Sequence, residues 1–222
     1  MSSDTNEILI AQNVGKKFGG FVALKDVTVS FAKDKLSAII GPNGAGKSTF
    51  FNVISGAFPA SSGRVTFEGA DITGLPPHEY ARRGIAKSFQ ITNVFPYLSA
   101  HENVRVAAQM QKTRFNLWTA RSSIRELIDE ADALLDRVGI GKKRAAAARD
   151  MAHGEQRCLE IAMALACKPR LLLLDEPTAG MSPEETVKMM DLIVRLAAER
   201  TVILVEHKMK LVMGICQQLV VL

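Results

Sequence analysis

The sequence predicts an α/β fold: a mixed sheet core with an antiparallel β-subdomain at its N-terminal side and an inserted α-helical lobe. Three observations lead there. The apolar run Leu36-Ser37-Ala38-Ile39-Ile40 leads directly into Gly41-Pro42-Asn43-Gly44-Ala45-Gly46-Lys47-Ser48, which fits the phosphate-cradling pattern G-x-x-x-x-G-K-[ST]. From about Glu155 onward, helical and strand patterns alternate, as a parallel sheet requires. Between these stretches, over 91–154, apolar residues recur at the helical period.

The elements follow in order. Ile8 to Val14 and Val27 to Phe31 alternate as strands with one buried face. After the phosphate loop, a helix carrying Phe50, Phe51, Val53 and Ile54 stops near Gly56, and Ser61-Ser62-Gly63 turns into a strand from Arg64 to Phe67. A connector rich in Gly and Pro comes next. In the helical lobe, Ile124, Leu127, Ile128, Ala131, Leu134, Leu135 and Val138 mark one face, with Ser123 and Glu126 as a capping box and Gly139 as the stop. The last part reads as a helix from about Glu155 to Ala166, a strand Leu171–Leu174, a helix from Pro183 and a strand Thr201–Val205. Ser182 as N-cap, Pro183 at the first position and Glu185 at the third mark the start of the Pro183 helix. One domain is therefore expected over 1–222, with 1–90 and 155–222 as α/β core and β-subdomain and 91–154 as the inserted lobe.

Composition narrows the function classes. No apolar run approaches the roughly 18 to 20 residues that span a bilayer, and the N-terminus lacks the basic start and apolar stretch of a secretory signal. Cytosolic residence is the expectation, with any membrane role borrowed from a partner. Cys158, Cys167 and Cys216 are too few and scattered for a disulfide framework or zinc site, so reduced, mostly buried thiols are expected. The net charge of +5 gathers only at short clusters, Arg82-Arg83 and Lys142-Lys143-Arg144, without interleaved aromatics. That pattern describes a solvated surface and no nucleic-acid site.

In parallel sheets ligands gather beyond the C-terminal strand ends. Three such ends hold chemistry. Gly41, Gly44 and Gly46 let successive N–H groups converge on phosphate oxygens, Lys47 adds a mobile charge, and Ser48 offers a hydroxyl to Mg²⁺ at a helix start. After Leu174, Asp175 is placed to hold Mg²⁺ and Glu176 to orient or deprotonate a water. After Val205 and Glu206, His207 can hydrogen-bond a γ-phosphate. Singly, an acidic pair or a histidine is ordinary; behind a phosphate loop, together, they point to triphosphate hydrolysis.

From Ile8 to Leu222 the sequence resembles the ATP-binding subunits of ABC transporters. The phosphate loop, the glutamine loop Ser88-Phe89-Gln90, a signature-like Met151-Ala152-His153-Gly154-Glu155-Gln156, the acidic strand end Leu171 to Glu176 and the switch His207 occur in the family's order. The resemblance implies an ATPase that closes as a pair around two ATP molecules. Pro42, Asn43, Ala45 and Thr49 complete the nucleotide loop, Phe18 stacks on adenine, and Ser48, Gln90 and Asp175 serve Mg²⁺. Lys47, Glu176 and His207 are the implied catalytic residues, while Ala152, His153, Gly154 and Glu155 act across the pair on the partner's γ-phosphate. The helical lobe would meet a permease, on the inner face of the membrane, with a periplasmic substrate-binding protein as indirect partner.

Departures choose a subgroup. Where most members have Leu-Ser-Gly-Gly-Gln, this chain has Met151-Ala152-His153-Gly154-Glu155, so the signature hydroxyl is missing. Ser88 to Pro96, Leu159-Glu160-Ile161-Ala162 and Ala179-Gly180-Met181 resemble the ATPases of branched-chain amino acid importers. Lys208 replaces their usual Asp, and Gln217-Gln218 their Asp-Arg; relatives are also expected to continue into a further hairpin and tail. A lipopolysaccharide-export ATPase is the nearer alternative and is expected to keep the signature serine. A non-transport ABC ATPase would carry a coiled-coil insertion or a second phosphate loop, absent here.

Overall fold

A computed structural model describes residues 6–88, 94–112 and 121–222. The chain forms two compact units, one of Met1–Lys87, Arg170–Pro177 and Ile193–Leu222, the other of Ser88–Pro169 and Thr178–Leu192. The first unit holds two sheets. One is antiparallel, ordered β2-β1-β4-β5, from β1 (Glu7–Phe18), β2 (Phe21–Ala32), β4 (Ser62–Phe67) and β5 (Ala70–Asp71). The other is parallel, ordered β6-β7-β8-β3-β9, from β3 (Leu36–Ile40), β6 (Ile85–Lys87), β7 (Leu171–Asp175), β8 (Thr201–Val205) and β9 (Gln218–Val221). Antiparallel and parallel pairings are thus segregated.

Every residue of β3, β7 and β8 is buried, which is why these strands read as continuous apolar runs. Phe50, Phe51, Val53 and Ile54 of α1 (Lys47–Ile54) share one core with Leu171, Leu173, Ile203 and Val205 of the parallel sheet and Leu9, Phe31 and Val65 of the antiparallel one. Gln217 and Gln218 tie β9 in place. Leu36 N–H donates to Gln217 Oε1 at 2.7 Å, while Gln218 accepts from Ser37 Oγ at 3.0 Å and donates to the Ser30 carbonyl at 2.7 Å. Uncharged amides replace the expected Asp-Arg pair and bridge the two sheets.

In the second unit, α3 (Ala100–Lys112), α4 (Arg121–Arg137) and α5 (His153–Ala166) pack together. Leu127, Ala131 and Leu135 are the buried stripe of α4, spaced by about one helical turn, and Val138 just past its end continues it. Leu134 is half-buried and Ile128 exposed, because both stand at the flanks of that stripe. The side chain of Ile124 lies outside the described residues. α6 (Pro183–Ala197) begins in this unit and ends in the first.

Some expectations need correction. β1 and β2 run well beyond Ile8–Val14 and Val27–Phe31, since pairing across the Phe18–Phe21 hairpin continues past the alternating stretch. The connector contains α2 (Pro77–Arg82), started by Pro77, and β6, too short to show a period. Helix α4 is already formed at Arg121, so Ser123 lies in its interior and is not its N-cap. The three cysteines are free and partly buried, in line with the expectation of mostly buried thiols. Burial pushes the Cys158 and Cys216 thiols up to about 11, with Glu155 and Glu185 adding to the effect at Cys158.

Candidate functional site

The strand ends of the parallel sheet are in register. Ile39 of β3 pairs with Val205 of β8, and Val205 with Asp175 of β7, so the segments that follow leave the sheet at one edge. The phosphate loop emerges there. Gly41, Gly44 and Gly46 all have positive φ, and Gly46, at +88°, caps α1. A Cβ on Gly46 would stand 2.7 Å from Leu24 Cδ2 and 2.8 Å from the Ala23 carbonyl oxygen, so the loop lies directly on β2. Only glycine meets both conditions.

The first helical hydrogen bond is Phe50 N–H to the Gly46 carbonyl at 2.8 Å, which leaves the preceding N–H groups of the first turn without intrahelical acceptors. That turn carries no acidic side chain. Lys47 is buried and donates to the Gly41 and Pro42 carbonyls at 2.9 and 2.8 Å, holding the loop closed on itself. Ser48, one residue on, is exposed. A helix start with free donors, a nearby ammonium and no carboxylate attracts a polyanion.

Asp175 ends β7 with 3% exposure, and Glu176 follows in the left-handed region at φ 46°. Its N–H still reaches the Val205 carbonyl at 3.0 Å, so the strained turn is held by β8. That turn brings the carboxylate to His207, whose Nε2 donates to Glu176 Oε1 at 2.6 Å. The pair is partly open to solvent, at 42% for the histidine and 20% for the glutamate side chain. His207 N–H is in turn anchored on Glu206 Oε2 at 3.2 Å.

Phe18 closes β1 and is 44% exposed, a ring on the surface and not in the core. It belongs to the hairpin whose β2 strand supports Gly46, since Lys16 pairs with Leu24 and Phe18 with Phe21. Gln90 lies outside the described residues.

The signature segment belongs to the other unit. Ala152 is the N-cap of α5 in extended backbone, and Glu155 Oε2 accepts from its N–H at 2.9 Å. Alanine has no oxygen to return the bond, so only half of a capping box exists. His153 donates through Nε2 to the Ala179 carbonyl at 3.1 Å, and a Cβ on Gly154 would meet Glu185 Oε1 at 2.8 Å. Ser182 and Glu185 form the full reciprocal box expected for α6, at 3.0 and 3.3 Å. Hydrogen bonding of the carboxyl to Ser182, first through the Ser182 N–H, assisted by His153 and Lys188, holds Glu185 below its ordinary range.

Two groups escaped sequence reasoning. Lys87, at the end of β6, donates to Asn52 Oδ1 of α1 at 2.5 Å and lies 5.2 Å from the Phe51 ring centre. Burial lowers its pKa while the Asp175 charge acts in the opposite direction. Pairing Lys87 with Leu173 puts it on the same sheet face as Asp175, two residues along. Lys16 is buried two residues before the exposed Phe18, beyond a register shift between Lys16 and Lys17 that interrupts the strand's alternation, so its place had no local signal.

The sequence matches the ABC transporter family over residues 24–179. It is 37% identical over 97% of its length to the high-affinity branched-chain amino acid transport ATP-binding protein BraF of Pseudomonas aeruginosa, covering 88% of that protein. To LivG of Escherichia coli, of the same description, it is 34% identical over 96% of its length and 87% of LivG. Among solved structures it resembles the ADP conformation of the ABC transporter cassette MJ1267, with a TM-score of 0.86 at 30% identity, covering 98% of this chain and 88% of that one. The cassette MJ0796, seen as a dimer in a post-hydrolysis state with ADP and Pi, gives a TM-score of 0.79 at 28% identity, covering 92% and 90%. With a phosphate loop, an acidic strand end and a paired histidine at one sheet edge, the chain belongs to the ABC transporter family as one of its ATP-hydrolysing cassettes.

Proposed function

We propose that this cassette powers an importer of branched-chain amino acids, binding ATP at Gly41–Ser48 and cleaving it with Glu176 as the group that orients and deprotonates water. The single observation that carries the chemistry is the 2.6 Å bond between His207 and Glu176 at the strand ends beside the phosphate loop. A carboxylate held by an imidazole is fixed in direction, as a base must be. His207 has two partners to choose from, the carboxylate and the γ-phosphate, and so reports whether the site is filled. Lys47 exchanges its loop carbonyls for phosphate oxygens when nucleotide enters.

Mg²⁺ fits the donor set. Ser48 and Asp175 offer hard oxygens, Asp175 directly or through water, and among the described residues no group of three or more His, Cys, Asp or Glu could hold a metal. A cation sharing few protein oxygens with substrate phosphates is the usual magnesium arrangement. When bound it neutralises charge developing on the phosphates. Gln90 is assigned to the same cation.

Ala152, His153, Gly154 and Glu155 act on the γ-phosphate of a second copy or sister ATPase, through backbone N–H groups at the start of α5. The dimeric MJ0796 cassette supports a pair. Among the described residues no helix is long and apolar enough to cross a membrane, which supports a peripheral subunit beside separate permeases and, indirectly, a periplasmic binding protein. The amino-acid transport descriptions of BraF and LivG favour this import reading over lipopolysaccharide export. Glu176→Gln keeps the shape and loses the base. Steady-state hydrolysis should fall by about 10²-fold or more with ATP affinity kept; turnover near that of the unaltered chain would overturn the assignment.

A further inference from the structure

Around Phe18 the first unit contains more than a single exposed ring. Lys16 is only 9% exposed, and its ammonium donates to the Pro59 carbonyl at 2.8 Å. That bond holds Nζ 5.0 Å from the Phe18 ring centre and 5.8 Å from that of Phe58. The two rings meet edge to face, with centres 5.5 Å apart and planes at 83°.

The loop that carries Phe58 is itself fastened at both ends. Phe58 N–H donates to the Asn52 carbonyl of α1 at 3.1 Å, and Lys17 N–H to Ser61 Oγ at 3.0 Å. Ser61 N–H closes the frame on the Gly15 carbonyl at 2.8 Å. This frame extends from the helix of the phosphate loop to the strand that ends in Phe18.

We propose that Lys16 and Phe58 are positioning residues for the nucleotide base, forming with Phe18 a three-part platform: the ammonium covers one face of the Phe18 ring, Phe58 fixes its tilt, and the open face takes adenine. The inference rests on the assignment of Phe18 as the stacking residue and deepens it. A cation over one face draws ring π density toward itself, and the opposite face becomes a better partner for an electron-rich purine. An edge-to-face neighbour removes the ring's freedom to swing, so less order is lost when the base arrives. The remaining 44% exposure of Phe18 is the surface left for that base.

The distinguishing probe is tripolyphosphate, which has the phosphates and no base. Full-length chain carrying Glu176→Gln, so that nucleotide is not consumed, is titrated by calorimetry with ATP and with tripolyphosphate, each with Mg²⁺. Lys16→Met and Phe58→Ala should each weaken ATP by about threefold to tenfold and leave tripolyphosphate within about twofold, with Phe18→Ala losing more ATP affinity than either. Phe21→Ala removes a ring that is 68% exposed and should leave both affinities unchanged. If Phe58→Ala fails to fold, Phe58→Leu removes the ring while keeping bulk, and the same result is expected.

A loss in Phe18→Ala with none in Lys16→Met and Phe58→Leu overturns the platform and leaves the stacking assignment standing. Equal losses for ATP and tripolyphosphate in Lys16→Met also overturn it, since the lysine would then be acting on phosphates or on the fold. No selective loss in Phe18→Ala removes the stacking assignment itself, and the platform with it.

Discussion

The starts of α1 and α5 are both helix N-termini assigned to phosphate, yet they are built in opposite ways. Before α1 the chain passes through three left-handed glycines, keeps its first turn free of acid and brings in Lys47. Before α5 the backbone is extended, the cap is an alanine, and Glu155 occupies the Ala152 N–H with Lys143 3.5 Å from its carboxylate. The first is electrically ready for a polyanion. The second is close to neutral, its donors partly taken by its own acid. On the proposed function, a helix start of the first kind would bind triphosphate within one chain, whereas the second would contribute only after another subunit had aligned a phosphate against it.

Substitutions can break this contrast, and among those read by nucleotide binding Lys47→Ala should have the largest effect. Losing a charge-assisted contact weakens ATP binding by about 1.5 to 3 kcal/mol, measured by calorimetry. Unchanged affinity would deny the loop its electrostatic role.

The glycines sharpen the comparison next. Gly46→Ala meets a forbidden φ and backbone at 2.8 Å, so stability should fall by about 2 to 4 kcal/mol in urea unfolding. Gly154→Ala meets only the end of the flexible Glu185 side chain and sits in a helix, where alanine is preferred. Its stability should hold while hydrolysis drops, because the new methyl stands between the α5 donors and a phosphate. Equal destabilisation of the two variants would erase the distinction.

Ala152→Ser restores the missing half of the cap. Stability should rise by about 0.5 to 2 kcal/mol, with turnover unchanged or higher; a fall in both would show that the alanine is required by its surroundings.

The smallest effect lies away from both helix starts, at Tyr80 of α2. Tyr80, buried, donates to the Ile72 carbonyl at 2.9 Å, and burial with the nearby Asp71 charge pushes its pKa from 10.0 up to about 12. A phenol with a raised folded pKa contributes stability that is complete below its unfolded value and is lost as pH rises from there through the folded one. Unfolding free energy should therefore decline between about pH 10 and 12, and Tyr80→Phe should flatten that slope in thermal melts.

What the sequence revealed follows the same division. Gly46 and Lys47 were legible because backbone sterics and phosphate charge dictate residue type directly. The places of Asp175, Glu176 and His207 were legible because they lie at or just beyond the ends of β7 and β8, whose full burial writes itself as apolar runs. The roles of Lys16 and Phe58 depend on a contact between residues far apart in the chain, which no local pattern encodes. Three-residue β6 was too short to carry a period, and Ser123 imitated a cap inside a helix that had already begun. The half-filled cap at Ala152 was visible as a missing hydroxyl, but not the Glu155 bond that takes its place.

The claim that α5 acts on another subunit's nucleotide is tested most directly by hydrolysis rate per chain as a function of chain concentration, with assembly followed in parallel by sedimentation. Completion of the site across a pair predicts turnover per chain that climbs with the dimer fraction and vanishes on dilution to monomer. Constant turnover through the range where the chain is wholly monomeric would contradict it.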